Sequence, residues 1–407
     1  MEHMLVPQAF TYFVLLMCIL LVLFCHFFWL KLETIRLKFR RQGIRGPLPS
    51  FVLGRTFLFE LGTHQILYAT DLQLVKQISN FKSLDLGKPA YLHEDRGPLL
   101  GKGLISSTGS VWSHQRNTIA PQLYMEKVKD MVDVIVESAC SLVKSWNSMV
   151  EIEGGVVELI VDDYVRNFTS TIISKMMFGN NYHVGTKLLP KCKALVDAVD
   201  SPTMLDGTPF SRTSTFQALK FAGVVAIWGL MLLASHPEWQ ARVRTEVQEI
   251  CGDQLPDANM LGRMRVLKMV IQEVIRLYPG AVFVARRAME DLKFGDTCVP
   301  KGVDIWIWTL ALHRDPEIWG PDADKFNPER FANGVFGACK SPQAYIPFGV
   351  GARMCPGQNL AMTELKVLFA LVISNFSLNI SPNYRHSPRF GLLLEPEHGV
   401  NLLIKKI

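Results

Sequence analysis

Residues 347–357 of the chain read Pro-Phe-Gly-Val-Gly-Ala-Arg-Met-Cys-Pro-Gly, and an amphipathic run follows directly. The glycines let the backbone turn tightly around the single sulfur of Cys355. Pro356 can begin a helix, and the N-terminal dipole of that helix favours an anionic thiolate. Most cysteines outside disulfides are simply small buried apolar residues, but this loop indicates a sulfur that is held as a ligand.

Two polar motifs precede the loop. Glu273 and Arg276 lie at positions i and i+3 of an apolar helix predicted over residues 266–277, so they share one face. Alone, such a pair is usually an exposed ion pair of little energetic value. Residues 328–331 then read Pro-Glu-Arg-Phe, and Cys355 lies beyond them. The Glu273–Arg276 pair is therefore informative only together with residues 328–331 and the cysteine loop that follow it.

The string F-G-x-G-x-R-x-C-x-G is the haem-binding signature of cytochrome P450, and residues 348–357 match it at every fixed position. The family also has the three motifs in this order. The chain thus resembles a cytochrome P450, which implies haem b with Cys355 as the axial iron ligand. The resemblance further implies that Arg353 pairs with a haem propionate, that Phe348 packs beside the sulfur, and that Arg330 completes a Glu-Arg-Arg network.

Further haem-binding side chains follow from the same resemblance. Trp112 and Arg116 form the pattern W-x-x-x-R, which places an indole N–H and a guanidinium on one helix face, toward a carboxylate. Without the cysteine loop, this pattern would be an ordinary surface turn. Arg286 occupies the position from which family members send an arginine to a propionate, and the adjacent Arg287 is the alternative.

The N-terminal part of the chain predicts a membrane anchor. Residues 9–30 are uncharged and mostly apolar, and the run is long enough to cross a bilayer as a helix. A cleavable signal peptide would need a shorter apolar stretch and a small-residue cleavage site. Lys and Arg residues cluster over 31–45, which places the remainder in the cytosol. We predict an anchor over 1–30, a basic, proline-containing hinge over 31–50, and a haem domain over 51–407. By the resemblance, the protein is single-pass in the endoplasmic reticulum membrane.

Composition and periodicity indicate the fold class. The chain has 407 residues, 49% of them hydrophobic, enough to bury a large core. Its net charge of +6 is concentrated beside the apolar run, which suits a membrane surface better than nucleic acid. Hydrophobic spacing predicts helices over residues 125–146 and from Pro237 onward, with short strands over 283–288, 292–299 and 303–308. We predict a mainly α fold with small β-sheets (α+β), an incomplete cytochrome P450 fold.

The chain departs from the family on the side of the haem that binds oxygen. P450s carry an A-G-x-[D/E]-T motif there, whose acid and alcohol deliver protons. Residues 221–223 read Phe-Ala-Gly, but 224–228 continue as Val-Val-Ala-Ile-Trp, without acid or alcohol. The stretches between residues 49 and 62 and between 116 and 273 are also short, and the chain is roughly a hundred residues below the usual family length. Internal blocks are therefore predicted to be missing.

A closer resemblance narrows the chemistry. Residues 236–240, 284–299 and 353–357 most resemble the plant P450 group of the 72 clan that oxidises gibberellins. This implies hydroxylation or epoxidation of a small hydrophobic diterpenoid with O₂, using NADPH electrons delivered by NADPH–cytochrome P450 reductase. The alternative is a truncated isoform or pseudoenzyme that binds haem without productive turnover, because the acid–alcohol pair is missing. The sequence leaves both open.

Overall fold

The structure is a computed structural model, which describes Met17 and residues 56–61, 64–92, 103–179, 183, 221–390 and 393–407. The predicted anchor over 1–30, apart from Met17, and the predicted hinge over 31–50 lie outside these residues. Within the described ranges, no single helix is long and apolar enough to cross a membrane. The helices Phe221–Ser235 and Pro237–Cys251 meet that requirement only as a pair, and the pair bends by 108°.

Helices and short strands make up the described chain. The helices are α1 (Leu72–Asn80), α2 (Gly109–Ile119), α3 (Met125–Lys129), α4 (Val132–Ile152), α5 (Asp162–Phe178), α6 (Phe221–Ser235), α7 (Pro237–Cys251), α8 (Ala258–Arg263), α9 (Arg265–Leu277), α10 (Thr309–Arg314), α11 (Pro316–Trp319), α12 (Gly334–Ala338) and α13 (Gln358–Asn375). The strands are β1 (Thr56–Leu61), β2 (His64–Ala69), β3 (Leu86–Gly87), β4 (Val156–Ile160), β5 (Val284–Ala288), β6 (Leu292–Phe294), β7 (Thr297–Val299), β8 (Asp304–Ile307), β9 (Phe376–Ile380), β10 (Pro388–Phe390), β11 (Leu394–Pro396) and β12 (Asn401–Lys406).

The largest sheet joins the N-terminal hairpin to the middle of the chain. Its strand order is β1-β2-β8-β5-β3, in which β2 and β8 are parallel and the other pairs antiparallel. A second sheet has the order β4-β12-β9, and β6-β7 and β10-β11 form separate hairpins. In the large sheet, β3 pairs with β5, which carries the predicted propionate arginine, Arg286. This pairing places the segment before α2 beside that arginine.

Helix α6 lies at the centre of the larger hydrophobic core. All of its residues from 223 to 234 are buried, as expected of a helix that is apolar on every side. It packs against α5, α9, α13 and β9. Because α13 begins just after Cys355, this packing holds the helix of the cysteine loop directly against the core.

The elements agree with the sequence prediction except in two respects. The strands predicted over 283–288, 292–299 and 303–308 correspond to β5–β8. The helix predicted over 125–146 is interrupted between α3 and α4, where Met131 donates its N–H to the Val128 carbonyl at 3.0 Å in a tighter i to i+3 bond. Strands β1–β4 and β9–β12 were not predicted, so the described chain contains more β-structure than the sequence indicated.

Glu246 of α7 caps the N-terminus of α9 from outside that helix. Its carboxylate accepts the N–H groups of three consecutive residues at 2.6, 2.8 and 2.9 Å: Arg265, Val266 and Leu267. The first N–H groups of a helix have no acceptor within the helix, so this carboxylate supplies what α9 lacks. The negative charge also suits the positive end of the helix dipole.

We expect Glu246→Ala to lower the free energy of unfolding by about 1–3 kcal/mol, because charge-assisted hydrogen bonds are lost at a helix cap. Urea denaturation followed by circular dichroism measures the change. Glu249→Ala is the matched control: Glu249 is an exposed residue of the same helix, and its removal should change stability by less than about 0.5 kcal/mol. Equal losses in both variants would show that the cap does not stabilise α9.

Candidate functional site

The cysteine loop is a closed turn that packs on α1. The Cys355 N–H donates to the Phe348 carbonyl at 2.8 Å, which closes the loop around the sulfur. Gly349 and Gly351 have φ angles of +82° and +67°, a left-handed conformation that favours glycine. A Cβ on Gly351 would lie 2.9 Å from the Ser79 carbonyl oxygen at the end of α1, so only glycine fits there. The predicted turn geometry is present.

Cys355 presents its thiol just before α13. The residue is exposed, yet the walls of the loop desolvate the sulfur and raise the pKa of the thiol. The Gly357 N–H, which hydrogen-bonds the sulfur, and the Arg116 guanidinium each act to lower that pKa. Because desolvation is the larger effect, the thiolate form needs a bound cation to stabilise it. A cationic metal centre meets this requirement.

Trp112 lies between two guanidinium groups. The Arg353 guanidinium stacks 4.2 Å from the indole ring, and the Arg116 guanidinium is 5.9 Å away. Arg353 donates to the Ser107 carbonyl at 3.0 Å, and Arg116 donates to the Met354 carbonyl at 2.6 Å. These bonds join the last turn of α2 and the segment just before the helix to the cysteine loop, although the loop is far away in the sequence.

Arg286 completes a group of cations beside the loop. It is 3% exposed and donates to the Val350 carbonyl at 3.0 Å and to the Ala285 carbonyl at 2.9 Å. Burial, reinforced by Arg353, lowers the pKa of Arg286 to about 9. Burial and then Arg116 lower the pKa of Arg353 to about 10, and its Nη2 is buried without a hydrogen-bond acceptor. The described part of the chain pairs no carboxylate with these arginines.

The adjacent arginine is directed elsewhere. The Arg287 Nε lies 3.9 Å from Asp304 Oδ1, because successive side chains of a strand point to opposite faces of the sheet. Arg286 therefore faces the loop and Arg287 does not.

A recess opens between these elements. It is narrow and partly open to solvent, and it lies between α1, α2, β5 and the cysteine loop. Apolar side chains such as Phe81 and Leu86 line it together with Trp112, Arg286 and Arg353. Apolar walls with converging cations fit the edge of a planar apolar ligand that carries carboxylates. Haem, with its two propionates, is such a ligand, and the buried Nη2 of Arg353 is a donor ready for one of them.

A buried ionic network supports the loop from behind. Glu273 and Arg276 are both 0% exposed, and Arg276 Nε and Nη2 donate to the two carboxylate oxygens at 2.6 and 2.7 Å. Arg330 Nε lies 3.6 Å from Glu273 Oε1, while its Nη2 donates to Asp322 at 2.7 Å. The Arg330 hydrogen bond is the main cause that lowers the pKa of Asp322. Arg330 thus joins the predicted pair into one network.

His313, which was not predicted from the sequence, connects this network to the loop. Its Nε2 accepts the Ile346 N–H at 3.0 Å, while its own carbonyl accepts from Arg276 at 2.8 Å. Burial, followed by the charge of Arg276, lowers the pKa of His313 to about 3, so the imidazole is neutral. The position of a single His after an apolar helix carries no local signal for this role.

Comparison with known sequences matches the same features. The sequence model of the family described as Cytochrome P450 matches residues 50–220 and 224–403. That range covers most of the chain, including the cysteine loop, residues 328–331 and the predicted propionate-binding residues. The chain belongs to the cytochrome P450 family. Its haem is accordingly ligated by a cysteine thiolate, as the family implies.

Curated relatives define the subgroup. The chain is 38% identical to cytochrome P450 714C2 of rice over 507 residues, covering 97% of each protein. It is 35% identical to cytochrome P450 714B3 of maize, covering 96% of this chain and 94% of the relative, and 35% identical to cytochrome P450 714A2 of Arabidopsis, covering 85% and 81%. It is therefore a plant P450 of the 714 family and a P450 monooxygenase, which favours the enzyme over the truncated haem-binding alternative.

The same comparisons show that this P450 is shorter than its relatives. The alignment with the rice relative spans 507 residues, whereas the chain has 407, so at least 100 aligned positions face gaps. The family match is also interrupted at residues 221–223, the first turn of α6. In the structure, α6 carries no carboxylate and packs close to α5, where a Cβ on Gly223 would lie 3.2 Å from Thr169 Oγ1.

Glu364 is a buried acid that the sequence analysis did not single out. It lies on α13 of this P450, is 3% exposed, and burial raises the pKa of its carboxyl from about 4.5 to about 8. The folded protein therefore holds this proton more tightly than the unfolded chain does. Between pH 4.5 and pH 8, the folded state must lose stability as the pH rises.

We expect Glu364→Gln to remove this pH dependence. Its free energy of unfolding should match that of the original protein near pH 5 and exceed it increasingly toward pH 8, by up to about 1.4 kcal/mol per pH unit. Urea denaturation at several pH values measures the difference, with Glu249→Gln on the exposed face of α7 as control. A stability difference that stays constant with pH would contradict the prediction.

Proposed function

We propose that this P450 inserts one oxygen atom from O₂ into a gibberellin-type diterpenoid, by hydroxylation or epoxidation. The haem supplies the oxygen-activating redox chemistry when it is bound. The substrate class is supported by the resemblance of residues 236–240, 284–299 and 353–357 to the gibberellin-oxidising plant group. The apolar character of such a substrate suits a family whose sites are lined mainly by apolar side chains.

In this proposal, Cys355 is the axial ligand, and Trp112, Arg116, Arg286 and Arg353 hold the propionates. The observation that carries the assignment is the convergence of three arginines, two of them with lowered pKa values, beside a cysteine at the start of α13. Such a group of cations is unfavourable until anions enter it.

Phe348 is proposed to pack beside the sulfur. Its carbonyl already accepts the Cys355 N–H, and its side chain packs against the larger hydrophobic core. A shell of apolar side chains around a metal–sulfur bond limits the access of water and tunes the potential of the metal.

Electrons are proposed to come from NADPH through NADPH–cytochrome P450 reductase. Helix α3 packs against α13, and its Lys127 and Lys129 are exposed. Positive charge on the cysteine side of the molecule would steer an acidic partner toward the haem edge. The apolar run over residues 9–30 and the basic segment after it support a single-pass protein in the endoplasmic reticulum membrane, with its haem domain in the cytosol.

The test uses the full chain produced with a haem supply. A carbon monoxide difference spectrum of the reduced protein should show the Soret band of thiolate-ligated haem. With reductase and NADPH, a gibberellin-type diterpenoid should then gain one oxygen atom, detected by mass spectrometry. Absence of the band would overturn the haem-site assignment, whereas a normal band with NADPH consumption and no oxygenated product would overturn the substrate assignment.

A further inference from the structure

Four aromatic side chains lead from α6 to the surface. The indole of Trp228, which is 0% exposed, stacks on the ring of Tyr278 with 4.3 Å between centroids and 17° between planes. The Tyr278 hydroxyl lies 3.3 Å from Nε2 of His386, and Nδ1 of His386 lies 2.8 Å from the Tyr384 hydroxyl. Tyr384 is half-buried and His386 is exposed. These four residues form an aromatic path between the core and the solvent.

The aromatic path begins beside the elements of the proposed haem site. Trp228 lies on α6, whose first residues, 221–223, stand where the family begins its oxygen-side motif. α6 packs against α13, the helix that follows Cys355, and against α9, which ends just before Tyr278. The outer end of the path, with His386 and Tyr384, belongs to the loop between β9 and β10.

Stable packing alone requires less than this arrangement. A buried indole N–H and a buried phenol each need one hydrogen-bond partner. Trp228 has its partner in the Leu394 carbonyl, at 2.6 Å, and a backbone carbonyl would satisfy Tyr278 equally well. Tyr278 instead meets a titratable base, and the same base continues to a second phenol.

The titratable groups of the path have the protonation states of proton donors and a proton acceptor. Burial, then the charge of Arg314, holds the pKa of His386 below its ordinary value, so the imidazole is neutral near pH 7. Burial is the main cause that raises the pKa values of Tyr278 and Tyr384, so both phenols keep their protons. With its own proton on Nδ1, His386 donates to Tyr384 and accepts from Tyr278.

A phenol is oxidised most readily when a base takes its proton as the electron leaves, because a positive charge in an apolar site is costly. We propose that Trp228, Tyr278 and Tyr384 form an electron-transfer path through which oxidising equivalents leave the haem side for the surface, with His386 as the base. This inference rests on the proposed function. The oxidant is the haem centre in a turnover that consumes O₂ without oxygenating a substrate. Residues 224–228 of α6 lack the acid and alcohol that deliver protons to oxygen, which favours such turnovers.

The transfer balances in electrons and protons. Trp228 gives one electron to the oxidant and regains one from Tyr278, whose phenolic proton passes to Nε2 of His386. Tyr384 then gives one electron to Tyr278, which recovers its proton from Nε2, while the phenolic proton of Tyr384 leaves to water. A soluble thiol restores Tyr384 by donating one hydrogen atom. The net result is one electron delivered to the haem side and one oxidised thiol at the surface.

The experiment treats the haem-loaded full chain with hydrogen peroxide, which oxidises the haem without reductase, in the absence of substrate. Electron paramagnetic resonance should show a tyrosyl radical, and mass spectrometry should find a nitroso spin trap attached to Tyr384. Tyr278→Phe, which removes only a hydroxyl, should lose most of this adduct and bleach its haem faster. His386→Asn should also lose the adduct but keep a tryptophan radical, a change that a merely structural role would not produce.

Two variants are matched controls. Tyr345→Phe removes a hydroxyl that donates to the Gln272 carbonyl at 3.0 Å rather than to a base. Trp239→Phe replaces another buried indole, on α7, whose ring stacks with Arg242. Both should keep the Tyr384 adduct, whereas Trp228→Phe should lose it. Equal labelling of Tyr384 in the original chain, Tyr278→Phe and His386→Asn would overturn the path, and so would equal loss in the controls.

A second measurement needs no haem. An ultraviolet flash ionises tryptophan side chains of the full chain, and transient absorption follows the decay of the tryptophan radical. In the original chain and in Trp239→Phe, part of this decay should be matched by growth of a tyrosyl radical at a rate independent of protein concentration. That part should vanish in Trp228→Phe and Tyr278→Phe, and its persistence there would overturn the path. If the original chain shows no thiolate band, the proposed function fails, and the flash measurement alone supports or overturns the path.

Discussion

Replacing Cys355 with serine is expected to abolish the reduced carbon monoxide band of thiolate-ligated haem, together with monooxygenase turnover. In the proposed haem site, the sulfur would donate electron density to the iron, and a serine oxygen at the same place would not replace it. The loss should exceed the roughly 10- to 100-fold that removal of an outer-shell partner costs at metal sites. The measurements are the difference spectrum and product formation with reductase and NADPH.

The matched control is Cys298→Ser. Cys298 lies on β7 and is exposed, as Cys355 is, but it belongs to a hairpin separate from the cysteine loop. This variant should keep the spectrum and turnover of the original protein. A thiolate band that persists in Cys355→Ser, or that disappears in Cys298→Ser, would refute Cys355 as the ligand.

Replacing Arg276 with methionine should destabilise this P450 by about 3–5 kcal/mol, because it removes the close counterion of the buried Glu273 carboxylate and leaves only Arg330, whose Nε lies 3.6 Å away. Both side chains are 0% exposed, and Arg276 also donates to the His313 and Ala323 carbonyls at 2.8 and 2.5 Å. Domains typically have about 5–15 kcal/mol of stability, so much of the margin would be lost. Urea denaturation measures the change, and soluble yield should fall in parallel.

An exposed ion pair provides the comparison. Arg242 Nη1 lies 2.9 Å from Glu329 Oε2, and the two side chains are 46% and 55% exposed. Arg242→Met should cost only about 0.2–1 kcal/mol, because water solvates both charges. The double variant Glu273→Gln with Arg276→Met should recover part of the loss, since the buried charge is gone. A loss below about 1 kcal/mol in Arg276→Met alone would contradict the buried network.

Long helices were predictable because their signals are local. Pro237 at the first turn of α7 and the apolar spacing of α9 each depend on residues within a few turns. The strands of the second sheet were not predictable in this way. β4 pairs with β12 in a register that joins Val157 to Ile404, so each of these strands is stabilised by residues that are far from it in the sequence.

The cysteine loop and the group of cations beside it were likewise predictable only in part: local sequence signals determined some of their features, and tertiary contacts determined the rest. The sequence by itself determined Cys355 and its turn, since the two glycines with positive φ, Pro356 and the helix dipole all act within a dozen residues. The sequence also indicated which arginines could bind the propionates, namely Arg116, Arg353 and either Arg286 or Arg287. Only the tertiary structure decided that Arg286 rather than Arg287 faces the loop. The physical reason is that strand pairing and helix packing, which set these directions, depend on contacts between segments far apart in the chain.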